Sequence, residues 1–320
     1  MRRVPVSALL ALAVALTVVR PSDVQATDGV AVIIEIRLNA GDVQVRRSDG
    51  TAWRQAQPLL TLRPGDQIAV RQDARVTLAF IGSRGTRVLG AVDSPFMVVD
   101  EPPKSPAERA RETVGAIVQF LIGANREPTR VPIGVRQGPP MGVAILSPRD
   151  SRLLPGLVTF EWTGSHSVRY RVRLLGPEGT VWEASDVPLG RTSYPAGAPP
   201  LVAGVRYQWQ LEAANEPTQQ AYFELLGADQ ADRIRTTLDL LNSEGILRGS
   251  RSGVIALRSG FLIQQGLYSE ARTELMSAAR ADPTEPTLHF LLGMLYEQAG
   301  LADMAEREFR AAHDLVNRRR

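Results

Sequence analysis

Residues 253–312 match themselves when shifted by 34 positions. Ser259 falls on Gly293, Leu262 on Tyr296, Gly266 on Gly300, Ala271 on Ala305, Leu275 on Phe309 and Ala278 on Ala312. Small, aromatic and helix-packing positions recur in register, and Pro283 closes the first copy. A period of this length marks a supersecondary unit that cannot bury its apolar face alone and must stack on neighbours. The spacing predicts two helices per copy, over residues 254–265 and 268–281, then 286–299 and 302–317. Gly266 and Gly300 lie at the turns, where a helix C-terminus favours glycine. Two copies are few for a continuous core. Residues 229–243 read as a further amphipathic helix, with Ile234, Leu238 and Leu241 on one side, placed to cap an open end. The sandwich read over residues 143–226, or a second chain paired end to end, could close that end instead.

The repeat resembles the tetratricopeptide family. The resemblance implies helical hairpins that hold peptides and seldom do chemistry. It puts groove-facing positions on the first helix of each copy: Ala256, Gly260, Ile263 and Gln264, then Phe290, Met294, Glu297 and Gln298. Packing claims the other faces, so these positions are expected to be exposed and to bind protein. The set is mixed in character and holds no clamp of basic side chains. An apolar or extended peptide therefore fits it better than a C-terminal carboxylate. The competing reading is that these positions touch only the domain's own neighbours.

Upstream, residues 29–100 read as a compact all-β module. Ala31 to Leu38 is a β-branched run and a strand. Val43 and Val45 alternate on a second strand, and Ser48-Asp49-Gly50 turns the chain. Asp66 in Pro64-Gly65-Asp66 reads as a turn cap. Val76, Leu78 and Phe80 alternate, which predicts one buried face and one wet face. Residues 88–99 are expected to return as one strand. The elements Gly41-Asp42-Val43-Gln44-Val45, Trp53, Ala56, Leu62-Arg63-Pro64-Gly65-Asp66-Gln67-Ile68 and Ala74-Arg75-Val76-Thr77-Leu78 resemble a FecR-type domain. That resemblance implies an exported module that senses or scaffolds at the envelope. Here the module follows the N-terminal segment directly, unlike the membrane-spanning sensors of that family.

Residues 101–142 read as a proline-rich linker, a helix over 107–122 with a stripe from Val114 to Ile122, and a loop. From 143 to 226 the chain is β again, with strands about every ten residues, which suggests a sandwich. Trp162 and Trp209 alternate with apolar neighbours and read as core. The segment Leu201-Val202-Ala203-Gly204-Val205-Arg206-Tyr207-Gln208-Trp209 resembles a fibronectin type III-like domain. Residues 228–320 complete the chain as the helical part. The expected class is thus multidomain, β plus α: a small all-β FecR-like domain, a β-sandwich, and α-helical tetratricopeptide hairpins.

The N-terminus reads as an export signal over residues 1–26. Arg2 and Arg3 precede an apolar core from Val6 to Val19, and Val24-Gln25-Ala26 offers a small-residue cleavage site. An uncleaved N-terminal anchor is the alternative. The expected location is the bacterial periplasm or envelope. There is no cysteine among the 320 residues, which excludes disulfides, thiolate nucleophiles and a lipid-anchored N-terminal cysteine. Of 37 basic residues Lys104 is the one lysine, but the arginines are scattered and balanced by 34 acids. No basic run marks a nucleic-acid surface.

Chemistry-bearing patterns are scarce. His166, His289 and His313 form no metal-ligand pair, and no nucleophile elbow or phosphate loop is present. No cofactor or metal is expected, and the chain reads as non-catalytic. Three functions remain in view. The first is an exported protein that scaffolds or senses through its β-modules and binds a protein partner through its repeats. The second is a peptidoglycan or glycan-binding module with Trp182 and Trp53 as stacking residues. The third is a signalling regulator coupled to a membrane complex. Pairing into a homo-oligomer is compatible with each.

Overall fold

The computed structural model describes residues 29–81, 85–99, 115, 117–121, 142–242 and 251–317. The expected signal, the start of the 107–122 helix and the loop after it lie outside the described residues. A β region of mainly antiparallel sheets, with β10 parallel to β16, is followed by five α-helices packed in hairpins among the described residues. Among the described residues no helix is long and apolar enough to cross a membrane.

The first module carries β1 (Ala31–Arg37), β2 (Val43–Arg46), β3 (Trp53–Gln55), β4 (Thr61–Leu62), β5 (Gln67–Val70), β6 (Arg75–Phe80), β7 (Thr86–Leu89) and β8 (Phe96–Met97). They form two sheets, in the orders β4-β1-β6-β7 and β3-β2-β5-β8. Residues 88–99 do not make one strand. A 3-10 turn at Ala91–Asp93 interrupts them, so β7 pairs with β6 while β8 crosses to pair with β5. Asp66 does cap its turn. Its carboxylate accepts from the Arg63 and Ser48 amides at 2.9 and 3.0 Å and from Arg47 Nη1 at 2.7 Å.

The central strands of this module depart from the expected wet face. Ile33 and Ile36 of β1, with Val76, Leu78 and Phe80 of β6, fill the module's own core. Val32 and Ile34 of β1 and Ala79 of β6 point the other way, yet they are buried too. Thr77 and Glu35 are closed to solvent with them. A strand that reads as a continuous apolar run, as β1 does, is one covered on both faces. The cover here is helical.

The second module carries β9 (Ala144–Ser147), β10 (Ser151–Leu153), β11 (Thr159–Thr163), β12 (Tyr170–Gly176), β13 (Gly179–Val187), β14 (Arg191–Ser193), β15 (Arg206–Ala213) and β16 (Gln219–Leu225). Its sheets run β10-β16-β15-β12-β13 and β14-β11-β9. Alternation along β11, β12 and β15 sends Phe160, Trp162, Tyr170, Val172, Trp209 and Leu211 into one core. The Trp209 indole N–H donates to the Pro148 carbonyl at 2.7 Å, while the buried Trp162 Nε1 finds no partner among the described residues.

The helices are α1 (Ala228–Asn242), α2 (Arg251–Gln264), α3 (Tyr268–Ala281), α4 (Pro286–Gln298) and α5 (Ala302–Asn317). The last four are the two repeats, and their bounds follow the 34-residue self-match closely. Gly266 and Gly300 have φ of 73° and 69°, the left-handed conformation that ends a helix cheaply in glycine. Leu262, Leu275 and Tyr296 are buried between helices, with Phe309 half-buried beside them. Gly293 lets α4 and α5 approach: a Cβ there would lie 2.6 Å from the Phe309 ring. Gly293→Val should therefore destabilise the chain by about 1–3 kcal/mol, because an overfilled contact forces side chains off their rotamers. A urea titration reads this directly; an unchanged midpoint would contradict the packing described.

Candidate functional site

The face of the two repeats where the tetratricopeptide resemblance would put a peptide is filled mostly from the same chain. Ala256, Gly260, Ile263 and Met294 were expected to be exposed; all four are buried. Phe290 is half-buried, with its ring edge-on to Phe309 at 5.3 Å between centroids. Gln264, Glu297 and Gln298 are exposed. The reason for the difference lies upstream. A Cβ on Gly260 would sit 2.9 Å from Leu121 Cδ2, and one on Gly253 would sit 3.4 Å from Ile34 Cδ1. Ile117, Val118 and Leu121, on a helical stretch at 117–121, join Val32, Ile34, Leu59 and Ala79 in one core with α1 to α5. Each fully buried Val, Leu or Ile contributes roughly 1.5–3 kcal/mol against leaving it exposed. The apolar face would be costly to leave open, and two repeats offer no third copy to cover it.

A polar cluster edges the same contact. Glu285, just ahead of α4, has no solvent exposure. Its Oε1 accepts from the Thr287 amide and from the Ile36 amide of β1, both at 3.1 Å. Its Oε2 has no hydrogen-bond partner among the described residues and lies 3.6 Å from Arg37 Nε. Arg37 also pairs with Glu35 at 2.9 Å and with Asp282, and it donates to Ser252 Oγ at 3.0 Å. Thr77 Oγ1 donates to Glu35 Oε2 at 2.6 Å. Burial, and then the nearby Glu35 charge, push the Glu285 carboxyl up to about 8. A buried ionic cluster of this kind is close to neutral for stability, since desolvation offsets attraction. The apolar contact holds the module in place, and the cluster fixes how β1 meets α4.

The second module grips the other side of the repeats. Arg149 Nε donates to the Ala299 carbonyl at 2.6 Å, and Arg152 Nη1 donates to the Gln265 carbonyl at 3.3 Å. Ala299 and Gln265 are equivalent positions, 34 residues apart. Two arginines on one turn thus cap the first helix of each repeat, where free carbonyls favour a cation. The Arg152 amide donates to the Gly266 carbonyl at 2.9 Å. Arg272 of α3 pairs with Glu161 of β11, and Ser147 and Ser269 bond through their hydroxyls at 2.8 Å. The Glu270 carboxylate accepts from the Leu154 amide at 2.8 Å, and burial pushes its pKa up. Beside these contacts lies an open cleft of about 380 Å³ between the sandwich and the helices. Sequence reasoning missed this cleft, because Glu161, Glu270 and Arg272, which line it, sit in no motif.

The aromatic residues suggested for glycans are partly spoken for. Trp182 stacks on the core ring of Phe160 at 5.7 Å and meets Tyr194 edge-on at 5.6 Å. Trp53, on β3, lies under the Arg46 guanidinium at 4.8 Å. Among the described residues no group of His, Asp and Glu is arranged to hold a metal. His289 bonds Glu308 at 2.8 Å, which holds its pKa above the ordinary value. The carboxylates of Glu285 and Glu35 are closed to solvent, so no substrate reaches them in this conformation.

No protein-family model and no curated protein matches the chain. Among solved structures, a β-1,2-glucanase from Parabacteroides distasonis is similar at 11% identity with a TM-score of 0.21. The alignment covers 90% of this chain and 49% of that one, so the chain spans about half its length. A likeness this weak carries no argument about fold or activity.

The Glu285 position makes stability depend on pH. An unfolded glutamate titrates near 4.5 and the folded one near 8, so between those values the folded state holds the extra proton. Rising pH favours the state that releases it. Stability should therefore fall as pH rises from about 4.5 to about 8 and be insensitive to Glu285 outside that window. Denaturant titrations across this range should show a downward slope that Glu285→Gln makes shallower, with Glu270 and His289 still contributing in the same direction; an equal slope in the variant would contradict the assignment.

Proposed function

We propose that this chain is an exported, non-catalytic envelope scaffold. Its helical repeats clasp two β-modules into one body, and its remaining surface meets a protein partner. The observation that carries this reading is the burial of Ala256, Gly260, Ile263 and Met294 against the chain's own β1, β6 and 117–121 stretch. A repeat used in this way sets the relative position of two sandwiches. Export rests on the residues 1–26 and their resemblance to a signal. The FecR-like and tetratricopeptide-like patterns are consistent with envelope assembly. Glycan stacking is less well supported, since Trp182 gives its ring to the sandwich core.

Calorimetry tests the clasp. The full chain is expected to unfold in one cooperative transition. Deleting residues 228–320 should expose Val32, Ile34, Leu59 and Ala79 and raise binding of a hydrophobic dye. The same deletion should abolish capture of envelope proteins by the tagged chain. Two β-transitions unchanged in midpoint by the deletion would overturn the reading.

A further inference from the structure

The polar edge between β1 and the turn ahead of α4 holds more acid than base. Glu35 and Arg37 reach it from β1, Asp282 and Glu285 from the turn, and the neutral Thr77 and Ser252 from β6 and α2. His289 of α4, paired with Glu308 of α5, also lies within electrostatic reach of Glu285. Arg37 is thus one guanidinium shared by three carboxylates. Glu35 and Asp282 pair with it directly, and each also accepts from a hydroxyl, of Thr77 and of Ser252. Glu285 is placed differently. Its Oε1 takes two amides, but its Oε2 takes no donor among the described residues. The nearby Arg37 Nε gives its one hydrogen to Glu35 at 2.9 Å.

An ionised Glu285 in this place is a fully buried charge with one oxygen unpaired and a second carboxylate beside it, which is costly. A protonated Glu285 keeps Oε1 as acceptor for both amides and brings no charge. Charge count and bonding pattern therefore pick out Glu285 as the group that holds a proton while the edge is shut. Burial, which pushes its carboxyl up to about 8, agrees with that choice. Once the edge parts, water reaches the side chain and it ionises as an ordinary glutamate. The side chains of Arg37 and Asp282 already stand at the rim, 30% and 20% exposed, so a small lift of the turn is enough. The apolar seat of Leu121 on Gly260 need not break for this. We propose that this edge is a proton-operated latch: closing it takes up one proton on Glu285, and raising the pH frees the Ile36–Arg37 end of β1 from the turn while the repeats stay packed. Below the pH of release the edge is shut and Ile36 is shielded with the rest of the body. The latch differs from a change in overall stability, because the opening is confined to one edge of the contact. It rests on that contact, not on export or on a partner.

The chain has no cysteine, so two introduced cysteines report a single distance. Ala40→Cys and Thr284→Cys, both at exposed positions, put nitroxide labels on either side of the edge of the full-length chain. Gln298→Cys with Arg310→Cys, also exposed, reports the packing of α4 on α5. Spin–spin distances are then measured from pH 5 to pH 9. An open Glu285 titrates near 4.5 and the closed one near 8. The ratio of open to closed should therefore rise about tenfold per pH unit between those values, about a thousandfold in all, and level off above them. A second, longer distance should grow in across the edge, while the α4–α5 distance stays single and narrow. Glu285→Gln keeps an acceptor for the Ile36 and Thr287 amides and cannot ionise, so its edge distance should stay narrow at pH 9. One narrow edge distance at every pH overturns the latch, and so does equal opening in Glu285→Gln. Broadening of the α4–α5 distance together with the edge distance also overturns it, since the opening is then not confined. None of these failures touches the clasp, which the calorimetric test judges separately.

Discussion

Two helical hairpins cannot close their own apolar surface. In this chain the open face of α2 and α4 is closed by the first β-module and the 117–121 stretch, with Gly253 and Gly260 giving the close approach that Ile34 and Leu121 need. The rest of the arrangement follows from that contact. Because β1 and β6 serve two cores at once, their strands are buried on both faces. Because the helices are the shared element, the first module is tied to the end of the chain, more than 200 residues away. The Ile36 amide bonded to Glu285, 249 positions apart, is the most direct expression of this.

The second module meets the repeats by a different physics. Alongside apolar packing of Leu154 and Leu226 on the helices, its contact carries a set of polar bonds that use the repeat symmetry: Arg149 and Arg152 cap equivalent helix ends. A slip of either hairpin would leave carbonyls and guanidinium groups unpaired in a partly buried place, which is costly. Apolar burial thus decides that the first module stays on the helices, while hydrogen bonds decide the register of the second.

Much of this fold was legible in the sequence. The 34-residue period gave the last four helices nearly to the residue, because helix–helix packing demands small and large side chains at fixed positions. Turn chemistry gave Asp66, whose buried carboxylate ties three separate donors. The concave face was not legible, because a family pattern says which positions face the groove but not what fills it. Two signals pointed that way. The run Ala31 to Ile36 lacks the alternation of a half-exposed strand, and Thr77 and Ala79 are small, neutral side chains on a face expected to be wet. Arg149, Arg152 and Glu270 gave no signal, since an arginine or glutamate on a surface turn looks the same whether it meets water or another domain.

Hydrogen exchange at the Ile36 amide tests the clasp most directly. This N–H donates across the interface to a carboxylate ahead of α4, so it is shielded only while the module and the repeats stay together. Native-state exchange should show Ile36 protected to the same degree as the amides in the middle of α4, opening only when the whole body opens. Exchange at Ile36 as fast as at an exposed amide, with α4 still protected, would contradict the account.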